Sequence, residues 1–231
     1  MTPARAVSFD FGQTLAALDT AMLAGRLAER GLVVAADALE AATPAAWRAY
    51  NAAIVPGASG HPWKTLMARL LELAGVADPE RAAAVDWLWD EQPRKNLWRR
   101  PVPGMIELVR DLGAAGVPVA VLSNSEGKLA ELATELGWAH LFVAIADSGK
   151  LGIEKPARAI FEWTAERLGV ALADVIHVGD SRQADVEGAL RAGMRAIWFE
   201  GDPSFVTDRA RACADATEVR EALAAWGLRS S

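Results

Sequence analysis

Asp10 closes the apolar run Ala6-Val7-Ser8-Phe9, and Ser123-Asn124 follows the run 117–122. Gly179-Asp180-Ser181 follows Val175-Ile176-His177-Val178, and Asp185 comes shortly after. Lys155 lies in the loop Gly152-Ile153-Glu154-Lys155-Pro156, ahead of a helical pattern. If the apolar runs are strands of one parallel sheet, the polar residues just past them converge beyond the carboxyl ends of the strands. Three carboxylates, a lysine and a hydroxyl then share one rim. Carboxylates crowded in this way repel, which calls for a cation, and oxygen ligands with room for water and phosphate suit Mg²⁺. Lys155 and such a metal beside the Ser123 hydroxyl make a cradle for a phosphoryl group. Asp10, facing the cradle, is placed to attack phosphorus and form an aspartyl-phosphate.

The elements that must position these residues follow from hydrophobic periodicity. Short apolar runs at 6–9, 117–122, 141–145, 175–178 and 195–199 read as buried strands. Helical patterns at 104–115, 126–137, 156–169 and 183–192 alternate with them, which predicts an α/β fold with a parallel sheet covered on both faces. The segment 16–100 breaks the alternation. It shows helical periods at 19–30, 37–52, 62–74 and 79–92, without convincing strands. Asp19 and Asp78 stand as N-caps, the latter with Pro79 at the first helical position, and Gly31 and Gly75 stand as stops. The expected organisation is a core from 1–15, an inserted helical domain over 16–100, and the rest of the core over 101–231, with Pro101-Val102-Pro103-Gly104 as the return hinge.

Composition removes several function classes. Of 231 residues, 52% are hydrophobic and 23% charged, a globular balance. The net charge of −6, with Arg and Lys scattered, argues against a nucleic-acid partner. Cys213 is the single cysteine, which excludes an intramolecular disulfide and a cysteine-based zinc site; its Arg- and Ala-rich surroundings predict a helix. The N-terminus lacks a signal-peptide core and no apolar stretch reaches about 18 residues, so no membrane association and a cytoplasmic location are expected.

The ordered motifs VSFDFGQTL, VLSNS, GIEKPARAIF and VGDSRQADVEGALRAGM resemble those of the haloacid dehalogenase superfamily of hydrolases. The resemblance covers the whole core and implies a Rossmann-like parallel sheet with an inserted α-helical cap of the C1 type. It implies roles residue by residue. Asp10 matches the nucleophile and a metal ligand, and Gly12 would offer its backbone carbonyl to the Mg²⁺. Ser123 matches the phosphate-binding hydroxyl; Asn124 beside it, read from its position and not from the resemblance, orients the loop or touches the substrate phosphate. Lys155 matches the lysine that neutralises nucleophile and phosphate. Asp180 matches the second metal carboxylate, and Asp185 the further acid that holds a metal-bound water or the lysine. The implied activity is Mg²⁺-dependent hydrolysis of a small phosphorylated metabolite.

One position departs from that pattern. Phosphatases of the superfamily carry a second Asp two residues after the nucleophile, as general acid and base; here Gly12 stands there, followed by Gln13. Losing such a group typically costs about 10²–10⁴ in rate. The alternatives are a binding or regulatory protein that holds a phosphorylated metabolite without efficient turnover, and a phosphonatase- or dehalogenase-like hydrolase. Asp180 and Asp185 argue against the dehalogenase, and nothing around Lys64 resembles the phosphonatase lysine motif.

Nine tryptophans against one tyrosine are an excess. Trp47, Trp63, Trp87, Trp89 and Trp98 fall in or near the helical insertion. Packing is the default for each, but Trp87 and Trp89 cannot share one helix face, which leaves one for a cleft or for a second copy of the chain in a homodimer. Trp138, Trp163, Trp198 and Trp226 read as core packing. His61, His140 and His177 form no metal cluster, and His177, inside a strand, reads as packed or hydrogen-bonded in the sheet.

Overall fold

The computed structural model describes residues 4–53 and 62–228, which leaves His61 outside the described residues. In chain order the elements are β1 (Ala6–Phe9), β2 (Ala16–Leu18), α1 (Thr20–Ala28), α2 (Ala36–Ala53), α3 (Pro62–Leu73), α4 (Glu80–Glu91), β3 (Trp98–Pro101) and α5 (Met105–Ala114). They continue with β4 (Val119–Ser123), α6 (Leu129–Glu135), β5 (Ala144–Asp147), α7 (Ser148–Leu151), α8 (Arg158–Leu168), β6 (Val175–Gly179), a π-helical turn (Arg182–Glu187), α9 (Gly188–Ala192), β7 (Arg195–Phe199), β8 (Ala210–Cys213) and α10 (Ala216–Ala225).

Every residue of β1, β4 and β6 is buried, as expected for strands covered on both faces. They belong to a parallel sheet of order β5-β4-β1-β6-β7-β8. On one face Ala6, Ala120, Leu122 and Ala146 pack with Ile160 and Phe161 of α8 and with Val186 and Ala189. The small strand side chains let these helices approach closely. The chain moves outward from β1 through β4 to β5, then crosses to β6 on the other side. β1 therefore stands at the point where strand order reverses, and a ligand crevice forms beyond the carboxyl ends at such a point.

The chain divides into two compact units, 18–97 and a core of 1–17 with 98–231. The unit 18–97 holds α1 to α4. Asp19 caps α1 by accepting from the Met22 amide at 2.8 Å. Leu23, Leu27, Leu39, Leu66, Met67, Leu70 and Leu88 form its interior. Its indoles take internal contacts: Trp63 packs on Trp89 at 5.5 Å, Trp47 meets Tyr50 edge-on at 5.1 Å, and the Arg26 guanidinium lies 4.3 Å over Trp87. No helix among the described residues is long and apolar enough to cross a membrane.

Several elements differ from the sequence expectation. The segment read as strandless includes β2 and the start of β3, which pair as a two-stranded ribbon, so Trp98 belongs to the core. Pro79 occupies the cap position of α4, and Asp78 instead pairs with Arg81. The third strand begins at Ala144, because Ala139–Leu141 closes a 3₁₀ turn on the Trp138 carbonyl. It runs on to Asp147, a buried carboxylate that accepts from the amides of Gly127, Leu129 and Gly149 and from the Ser125 hydroxyl.

Cys213 lies in the edge strand β8, not in a helix; the helical signal belongs to α10, which Asp215 caps through the Thr217 and Glu218 amides. Burial, and then Glu218, push the Cys213 thiol up to about 11. Iodoacetamide is therefore expected to alkylate the native protein at pH 8 roughly 10²-fold more slowly than the urea-unfolded chain, because only the thiolate reacts. Equal rates would refute the burial argument.

Candidate active site

Lys155 is 4% exposed and its ammonium meets three acceptors: Asp10 Oδ1 at 2.5 Å, Asp185 Oδ1 at 2.7 Å and the Leu122 carbonyl at 2.8 Å. That uses all three ammonium protons. It also ties together the ends of β1 and β4 and the π-helical turn. Burial alone would lower Lys155, but Asp10 and Asp185 more than reverse this and hold the ammonium above the ordinary lysine value.

Asn124 fixes the lysine from the main-chain side. Its Oδ1 accepts from the Lys155 amide at 2.8 Å and its Nδ2 donates to the Lys155 carbonyl at 3.0 Å. Of the two roles the sequence left open for Asn124, contact with phosphate or orienting the loop, these bonds match the second. Ser123 ends β4, buried, with Asp147 as its register partner on β5.

Asp185 is held on both oxygens. Oδ1 receives Lys155 and His177 Nε2, the latter at 3.0 Å, and Oδ2 accepts from the Ser181 amide at 2.9 Å. A Cβ at Gly179 would collide with the Asp185 carboxyl, so the glycine is what lets this acid lie against β6. Burial would raise Asp185, but Lys155 and His177 hold it well below the usual carboxylate range. Asp180, half-buried, is raised well above that range by burial and then by the charges of Asp10 and Asp185. Asp10 is raised by burial, with Lys155 opposing.

Carboxylate oxygens of Asp10, Asp180 and Asp185 lie within 4.8 Å of one another. One ammonium against three carboxylates leaves uncompensated negative charge, and the donors are all hard oxygens. This set fits a hard divalent cation such as Mg²⁺. Asp185 already takes three hydrogen bonds, from Lys155, His177 and Ser181, whereas Asp10 takes one from Lys155, so Asp10 and Asp180 are the carboxylates with the most free acceptor capacity for a cation. The turn after β1 closes through the Phe11 and Ala16 carbonyls, not through that of Gly12. Gln13 takes φ +57° there, a left-handed conformation costing roughly 1–2 kcal/mol for a residue with a side chain.

The space beside Gly12 holds an indole. A Cβ built on Gly12 would lie 3.3 Å from both Cδ1 and Nε1 of Trp98. Two further contacts escaped sequence reasoning. Trp198 Nε1 donates to the Asp180 carbonyl at 2.8 Å and so steadies that loop, and His177 reaches Asp185. The Trp198 spacing carried no signal beyond packing. The presence of a lone histidine within the apolar strand before Gly179 was the available sign for the other.

The family model for haloacid dehalogenase-like hydrolases matches residues 4–193. The chain belongs to that family. This hydrolase is 30% identical over 197 residues to a glyceraldehyde 3-phosphate phosphatase of Methanopyrus kandleri, covering 84% of this chain and 82% of that one. It is 36% identical over 132 residues to a phosphoserine phosphatase of Thermus thermophilus, covering 56% of this chain and 51% of that protein. Its fold matches the HAD hydrolase YfnB of Bacillus subtilis, solved bound to magnesium, with a TM-score of 0.70 at 18% identity over 96% of this chain and 99% of that one.

Proposed function

We propose that the hydrolase cleaves a small phosphorylated metabolite, with Mg²⁺, through an aspartyl-phosphate on Asp10. The observation that carries this reading is the buried Lys155 ammonium bridging Asp10 and Asp185, with Asp180 beside them. Lys155 occupies Oδ1 of Asp10 and leaves Oδ2 to attack phosphorus. The P–O bond to the leaving group breaks and its electron pair departs with that oxygen. Water then attacks the phosphoryl group, the bond to Asp10 breaks, and inorganic phosphate leaves with the carboxylate restored. Asp10, Asp180 and the Gly12 carbonyl would hold Mg²⁺, which when bound neutralises charge on the transferring group. Lys155 and the Ser123 hydroxyl stabilise the same charge, and Asn124 keeps Lys155 in place. The helical unit 18–97 serves as the cap. Similarity to a glyceraldehyde 3-phosphate phosphatase and a phosphoserine phosphatase supports a small phosphate ester as the substrate here.

A phosphate-release screen with Mg²⁺, including glyceraldehyde 3-phosphate, phosphoserine and p-nitrophenyl phosphate, tests the reading. Wild type is expected to turn over at least one of them and to lose activity with EDTA. Asp10→Asn is expected to retain roughly 10⁻⁴ of the rate or less, the scale of losing a covalent nucleophile. Equal rates in wild type and Asp10→Asn would overturn it.

A further inference from the structure

We propose that Ser8 and His177 act as a positioning pair for the Asp10 nucleophile, transmitting their placement through Asp185 and Lys155. The proposal rests on the reading of Asp10 as nucleophile.

Ser8 on β1 and His177 on β6 are register partners in parallel strands. Both are fully buried. Ser8 Oγ lies 2.9 Å from His177 Nδ1, and His177 Nε2 lies 3.0 Å from Asp185 Oδ1. Phe161 of α8 meets the imidazole edge-on at 5.6 Å and fixes the plane of the ring. From Asp185 the contacts pass to Lys155 and on to Asp10. Asp10 lies two residues after Ser8, just past the end of β1, where its amide still donates to the Val178 carbonyl of β6 at 2.8 Å. The hydrogen bonds therefore run from Ser8 within β1 through His177, Asp185 and Lys155 to Asp10, the residue that follows the strand.

The direction of the protons follows from the donor inventory. An ionised Asp185 only accepts, so Nε2 carries the ring proton toward it. In the neutral ring Nδ1 then accepts from the Ser8 hydroxyl, which selects that tautomer. A second-layer partner of this kind orients a carboxylate rather than touching substrate, and losing one typically costs 10–100-fold in activity. Here the oriented carboxylate is the one that places Lys155, and Lys155 determines which oxygen of Asp10 is left to attack.

The test compares His177→Leu, His177→Gln and Ser8→Ala in the full chain, with Mg²⁺ and p-nitrophenyl phosphate as probe and Asp10→Asn as control. His177→Leu is expected to lower kcat about 10–100-fold with KM nearly unchanged. His177→Gln, whose amide can donate from the Nε2 position, is expected to recover most of the loss, and Ser8→Ala to fall between. Nitrogen-15 spectra of the imidazole are expected to show the Nε2–H tautomer in wild type and a mixture in Ser8→Ala. The proposal is overturned if His177→Leu keeps wild-type kcat, if the leucine and glutamine variants lose equally, or if wild type carries the proton on Nδ1. Should His177→Leu fail to fold, Ser8→Ala and the tautomer decide. Unimpaired Asp10→Asn would instead sink the nucleophile reading and leave the tautomer measurement to judge the pair.

Discussion

Lys155→Met is expected to cost the hydrolase about 3–5 kcal/mol of stability, the usual loss when one partner of a buried ion pair is removed. The side chain is 3% exposed and its two carboxylate partners are buried with it. Methionine fills the same volume but gives Asp10, Asp185 and the Leu122 carbonyl no donor. The carboxylates then repel, and Asp10, already raised by burial, takes up a proton. On the proposed mechanism a protonated Asp10 could not attack phosphorus, and the charge that Lys155 would contribute at the phosphoryl group would be lost too. Turnover is therefore expected to fall by roughly 10²–10³ or more, the cost of removing one preorganised donor. The pH dependence has a definite sign. The fold raises Lys155 above its unfolded value, so its stabilisation is complete below that value, about pH 10, and is lost as pH rises through the folded one. Urea unfolding should show an undiminished gap between wild type and variant at about pH 7–9 that closes in stronger alkali. Equal unfolding midpoints at neutral pH would refute the central role of this lysine.

The convergence of Asp10, Lys155, Asp180 and Asp185 was legible because strand ends are legible. Short buried runs stopping at Asp10, Ser123 and Asp180 have few other readings, and parallel topology forces their ends together. The helical unit was legible from its period and caps, Asp19 above all. What escaped were contacts with no period. β8 is an edge strand of Ala, Arg and Cys, and nothing local separates it from a helix until α10 beyond it is seen to own the capping signal at Asp215. Asp147 looks like any surface acid in sequence, yet it is buried with four donors converging on it, from Ser125, Gly127 and the start of α6 on one side and from Gly149 of α7 on the other. Asn124 belongs to the right motif, but only the structure shows its amide on the Lys155 main chain. The Trp98 indole beside Gly12 joins residues far apart in sequence, and it bears directly on the departure from the phosphatase pattern.

Restoring the absent carboxylate is expected to succeed only when the indole gives way. In Gly12→Asp alone, the new Cβ lies 3.3 Å from two atoms of Trp98, tighter than ordinary van der Waals contact, and the ring is 8% exposed and packed. The carboxyl is then pushed off the geometry that proton transfer requires, so the single variant should gain little. Gly12→Asp with Trp98→Leu opens the space. If proton transfer limits the wild type, the pair should raise hydrolysis of an alkyl phosphate by about 10²–10⁴, the range of a positioned acid–base group. The gain should be much smaller for p-nitrophenyl phosphate, whose leaving oxygen is stable without a proton. Wild type should accordingly favour such good leaving groups steeply, and the double variant should flatten that preference. Trp98→Leu alone, which opens space without supplying an acid, should show no gain and controls for loosened packing. A folded double variant that hydrolyses alkyl phosphates no faster than wild type would show that the proton is delivered by another group, and that Gly12 is not the limiting defect.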